Sequence, residues 1–156
     1  MTGSTGAIGP TGPSYIRQPF ANLNIAEQSI ANLGAVTYSA AGAAINGLDY
    51  TDTNTFTVKT PGIYVLECVL NLAADNDPGN DFAISLNNNL INAVAPAASA
   101  ANAGPIVIIR VQSYLANTTV KIINRSGHNI RLANGINAGS AGHFIFYRIA
   151  DAGAVT

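Results

Sequence analysis

Beyond Ser14 the chain alternates short β-rich runs with Gly, Asn, Asp and Pro punctuation, which predicts an all-β body. Strands are predicted at about 34–39, 45–48, 54–60, 63–73, 81–88, 90–95, 105–115, 118–124, 129–133 and 142–149. Asn87-Asn88-Asn89 and Ser126-Gly127 read as hairpin turns, and Thr60-Pro61-Gly62 as a tight corner. Segment 22–33 is expected to hold one helical turn around Ala26 and Glu27, and the Ala/Ser-rich stretch 95–104 to be a loop. So many short strands in one domain imply a sandwich or jelly roll.

Three strands are apolar on both faces. Along 63–72, Tyr64, Leu66, Cys68, Leu70 and Leu72 point one way, and Ile63, Val65, Glu67 and Val69 the other. In 106–112, Val107, Ile109 and Val111 oppose Ile108, Arg110 and Gln112; in 143–149, Ile145, Tyr147 and Ile149 oppose Phe144, Phe146 and Arg148. An antiparallel sheet with one face in water should alternate apolar with polar residues. These strands do not, so a second covered face is expected, and a subunit contact is the simplest cover. The faces assigned to it are Ile63, Val65, Glu67 and Val69, then Ile108, Arg110 and Gln112, then Phe144, Phe146 and Arg148. Glu67, Arg110 and Arg148 either pair there, contributing register more than stability, or sit on a wet rim.

The first residues follow another rule. Gly3, Gly6, Gly9 and Gly12 recur every third position, with Pro10 and Pro13 each following a glycine. Only glycine fits where three polyproline-II chains meet at an axis, so this is the period of a collagen triple helix. The alternative is a Gly/Ser/Pro linker. Met1-Thr2 runs straight into the repeat, an abrupt start that fits a cut from a longer one. Four triplets are too few to stay wound alone, and their Thr5 and Thr11 are candidate O-glycosylation sites.

Composition narrows the function. The chain has 156 residues, 48% hydrophobic and only 10% charged, against roughly 25% charged in ordinary soluble domains. A net charge of −1 gives no electrostatic footprint for nucleic acid or an acidic membrane surface. No apolar run approaches the ~18–20 residues of a membrane-spanning helix. Cys68 is the only cysteine, which rules out an intrachain disulfide; on the expected core face it reads as an inert thiol. His128 and His143 lack triad or metal-ligand spacing, and with no phosphate-cradling loop or paired carboxylates the chain reads as a non-enzyme without cofactors. The sharpest polar cluster is Asp75-Asn76-Asp77-Pro78-Gly79-Asn80-Asp81. Asp75, Asp77 and Asp81 could offer hard oxygen ligands to calcium, or simply line a solvated turn.

Thr55-Phe56-Thr57-Val58-Lys59-Thr60-Pro61-Gly62-Ile63-Tyr64-Val65 resembles the corner of complement and tumour-necrosis-factor type jelly rolls. Gly104-Pro105-Ile106-Val107-Ile108, the Asn87-Asn88 turn and Ser140-Ala141-Gly142-His143-Phe144-Ile145-Phe146 resemble, more narrowly, the C-terminal domain of BclA-like collagen-like glycoproteins of the bacterial spore exosporium. The likeness spans most of residues 34–150. It implies a ten-stranded jelly roll forming a homotrimer about an axis shared with the collagen stalk of the same chains. The organisation is then 1–14 stalk end, 15–33 neck, 34–150 head and 151–156 tail. The implied role is a structural, glycosylated filament tip on the spore surface, tied through the chain upstream to an anchoring protein. The alternatives are an adhesive head for a host glycan or protein, with Tyr38 and Tyr50 as candidate contacts, and a phage tail-fibre tip.

Overall fold

A computed structural model describes residues 18–99, 104–134 and 139–152, and among these every regular element is a strand. Twelve strands are present: β1 (Phe20–Ile25), β2 (Gln28–Ile30), β3 (Ser39–Asn46), β4 (Leu48–Thr51), β5 (Thr55–Val58), β6 (Gly62–Leu72), β7 (Asn80–Leu86), β8 (Asn89–Ser99), β9 (Gly104–Tyr114), β10 (Thr119–Asn124), β11 (Ile130–Leu132) and β12 (Gly142–Ala150). They form two antiparallel sheets. In the first, β6 lies between β9 and β12, β12 pairs with β1, and β1 with β3. The short β11 and β2 extend this sheet past Leu72. The second sheet runs β4-β5-β10-β7-β8.

The expected strands from 54 onward lie within a few residues of β5 to β12. The front of the chain differs. Residues 22–33 form no helical turn: the alternation of Ala21, Leu23 and Ile25 with Asn22 and Asn24 makes β1 a half-buried strand, and β2 follows. The expected neck is therefore part of the sandwich from Phe20 onward. The strand expected at 34–39 is reduced to a single bridge, Ala35 to Ile123, before β3 begins. The stretch expected to be a loop from 95 is strand as far as Ser99. The repeat, with Thr5 and Thr11, lies outside the described residues.

The core sits between the sheets. Tyr64, Leu66, Cys68 and Leu70 of β6 and Phe144 and Phe146 of β12 face Phe56, Phe82, Ile84, Val120 and Ile122 of the second sheet. Aromatic rings hold its centre: Phe56 stacks on Phe144 at 4.8 Å and 9°, and Phe146 stacks on Tyr64 at 4.9 Å while meeting Tyr114 edge-on at 5.3 Å. Full burial of such side chains contributes about 1.5–3 kcal/mol each, and well-oriented ring pairs about 0.5–1.5 kcal/mol more. Tyr38 is buried in this cluster and the Tyr50 hydroxyl is engaged by the carbonyls of Tyr38 and Thr53, so neither forms an exposed aromatic patch.

Cys68 is fully buried, and burial first, then the charge of Glu67, pushes its thiol far above its ordinary value. A thiol-specific reagent is expected to leave Cys68 unmodified in the folded protein and to label it once denaturant is added. Rapid labelling of the native chain, read by mass spectrometry, would contradict this core.

Candidate subunit interface

The outward face of the first sheet is built row by row from the strand registers. Val107, Val69 and His143 form one cross-strand row, Ile109, Glu67 and Ile145 the next, and Val111, Val65 and Tyr147 a third. Carried on to β1, these rows meet Asn24, Asn22 and Phe20. The face is thus divided: aliphatic over β9, β6 and β12, and largely amide-bearing over β1. Its apolar half lies in solvent, with Val107 49%, Ile109 62%, Val111 54%, Tyr147 39% and Ile149 52% exposed. Leu115, just beyond β9, is also exposed. Packed strands bury such β-branched residues elsewhere in this fold; here each is left with one uncovered side.

One polar pair sits inside this patch. His143 Nε2 lies 3.3 Å from Glu67 Oε1, both side chains half-buried. Glu67 meets neither expected arginine within the subunit. Arg148 is nearly buried, donates from its side chain to the Pro61 carbonyl and Gln18, and pairs with Asp151. Arg110 is exposed at the sheet edge, its Nε donating to Gln112 Oε1 at 3.0 Å.

The face expected from the sequence is therefore corrected on two strands. Ile63, Val65, Glu67 and Val69 of β6 do point outward. On β12, however, Phe144 and Phe146 register with Cys68 and Leu66 and are wholly buried, and on β9 Ile108 does the same opposite Cys68. Arg110, Gln112 and Arg148 lie in register with core-facing β6 residues, Leu66 for Arg110 and Tyr64 for the other two. The outward residues of these strands are Val107, Ile109, Val111, Ile145 and Tyr147. Ring polarity was the available signal: two phenylalanines at alternate positions have no polar atom to satisfy and claim the core, whereas Tyr147 on the other face carries a hydroxyl that favours water.

The acidic loop does not gather its carboxylates. Arg131 takes Asp75 in a forked pair, at 2.9 and 3.1 Å, and also meets Glu27 at 2.9 Å. That guanidinium holds the Asp75 carboxyl below the usual range. Asp81 faces Arg125 at 3.8 Å, and Asn76 is buried, donating from Nδ2 to the Ala73 and Arg131 carbonyls. Among the described residues no group of three His, Cys, Asp or Glu is placed to hold a metal ion, so Asp75, Asp77 and Asp81 are not gathered as the calcium reading of this loop requires. The arginines occupy oxygens that a cation would need.

The chain enters the fold beside this apolar face. Pro19 accepts a hydrogen bond from the Arg148 backbone at 3.0 Å, and Asn46 Nδ2 donates to the Gln18 carbonyl at 3.2 Å, near the Tyr147 and Ile149 end.

No family model matches the chain, and no curated protein matches it. Among solved structures it is similar to Eiger TNF from S. frugiperda, with 11% identity and a TM-score of 0.68 over 90% of this chain and 98% of that one. It is also similar to murine APRIL at pH 8.0, with 12% identity and a TM-score of 0.64, and at pH 5.0, with 11% and 0.61; each covers 85% of this chain and 100% of the other. At such identities likeness speaks for the fold, and the chain has the jelly-roll fold of these tumour-necrosis-factor-like proteins.

Proposed function

We propose that the chain is the homotrimeric head of a collagen-like filament on the surface of bacterial spores, with a structural and not a catalytic role. The observation that carries this reading is the divided face of the first sheet. A contiguous apolar half over β6, β9 and β12, next to a polar half on β1, suits a ring of subunits in which each covers its neighbour. The tumour-necrosis-factor-like fold and the resemblance of Gly104 to Ile108 and Ser140 to Phe146 to exosporium heads support it. So does the place where the described chain enters: Gln18 and Pro19, which follow the Gly-X-Y repeat in sequence, lie at the Tyr147 end of the same face.

A trimeric head then supplies what a collagen helix lacks, since holding three strands together at one end raises their effective concentration and fixes their stagger. Thr5 and Thr11 would carry sugar on the stalk, and an anchoring protein would hold its far end. Immunogold labelling of intact spores with antibody to the head is expected to decorate the outermost filament layer. Labelling confined to the spore interior, or to phage particles, would contradict the assignment.

A further inference from the structure

We propose that the second sheet carries a binding site for a sugar acid: a single pyranose ring bearing one carboxylate. The site goes beyond the filament-head reading and does not depend on it, because it lies on the sheet opposite the association face. On β7 and β10 the inward residues are Phe82, Ile84, Val120 and Ile122, so Ser85, Lys121 and Ile123 face outward, with Ser85 and Lys121 directly opposite in register. Around that pair is a cavity of about 300 Å³ lined by Leu33, Ala35, Ser85, Asn88, Lys121 and Ile123. Its size is at the low end of small-molecule sites and admits one ring, not a chain of them.

Its chemistry is mixed in a specific way. Leu33 and Ala35 offer an apolar surface to the C–H face of a ring, with Ile123 buried behind them, and Asn88 places an amide for its hydroxyls; Ser85 forms the floor, its hydroxyl donating to the Asn89 carbonyl at 3.4 Å. Lys121 supplies the charge. Lys59, Arg125, Arg131 and Arg148 each have a carboxylate partner; among the described residues Lys121 and Arg110 have none, and Arg110 lies on the other sheet, engaged by Gln112. A cation without an acidic neighbour at the wall of a cavity selects for an anion. Two positions with positive φ frame it independently. Leu33 is held in the left-handed region at φ 62 and exposed, and Asn88, at φ 58, closes the hairpin between β7 and β8. An asparagine is at home in such a turn, but a leucine is not, and backbone strain of this kind concentrates where a site is shaped.

The test is a titration of the full chain with sodium glucuronate, followed through backbone amide resonances. Saturable shifts are expected at Ser85, Asn88, Lys121 and Ala35, with an affinity at least tenfold weaker for Lys121→Gln and for glucose, which lacks the carboxylate. Lys59→Gln, at the remote Asp49 pair, should bind as the parent does. Glucose binding as well as glucuronate, isovalerate binding better than either, or shifts that never saturate would overturn the proposal.

Discussion

Replacing Ile109 by aspartate is expected to leave each subunit folded and to dissolve the assembly. Ile109 is 62% exposed in the single chain, so the substitution removes little core packing; the lost strand propensity and the like charge opposite Glu67 should cost the subunit about 1–2 kcal/mol, too little to unfold it. In the assembly the arithmetic reverses. An isoleucine whose full burial contributes about 1.5–3 kcal/mol is lost from every copy of the interface. The new carboxylate stands in register beside Glu67 on β6, so two like charges would be desolvated together. Size-exclusion chromatography with light scattering should show one chain per particle with an unchanged circular dichroism spectrum. Arg110→Asp, on the neighbouring position of the same strand, should keep the parent assembly. An Ile109→Asp protein that stays fully assembled would place the interface elsewhere.

Gly142→Val should do the opposite, striking the fold itself. Gly142 opens β12 directly across from Leu70 of β6, so close that a methyl group there would overlap the Val69 carbonyl oxygen and lie 3.0 Å from its carbon and 3.3 Å from the Leu70 Cα. All three are backbone atoms of a central strand, which cannot swing aside as a side chain could. The first rungs of the β6–β12 ladder must part, at a cost of about 3 kcal/mol or more. Gly139→Ala, where nothing stands within 4 Å of the added carbon, should change stability by no more than about 0.5 kcal/mol. Urea unfolding of both variants measures the contrast. Equal losses, or a Gly142→Val chain as stable as the parent, would show that the two strands do not approach this closely.

Reading of the sequence succeeded where one signal dominated. Thr60-Pro61-Gly62 fixes the start of β6, and with the start fixed the alternation of Tyr64, Leu66, Cys68 and Leu70 gives its core face. The all-β class and the two-faced character of the strands from Ile63, Pro105 and Gly142 followed in the same way. Parity on β9 and β12 did not, because Arg110 and Arg148 stand on the core-side parity of their strands, where a local pattern places no charge. Arg110 lies in register with core positions yet is exposed, since β9 is the last strand of its sheet and a long side chain there can reach water past the edge. Arg148 is accommodated because Gly62 has no side chain: a carbon added there would collide with the guanidinium and with the Ala150 carbonyl. Both are consequences of neighbours far apart in sequence, which no local period encodes. The same holds for Asp75, whose geometry is set by Arg131 some 56 residues away, and for the cavity around Lys121, which needs the Leu33 segment folded beside β10.

The central claim, that β6, β9 and β12 present a face covered by other copies of the chain, is tested most directly by counting chains per particle. Sedimentation equilibrium of the parent protein at micromolar concentration is expected to give three chains, persisting as the protein is diluted tenfold. A single chain throughout that range, with Ile109, Val111 and Tyr147 left in water, would contradict it.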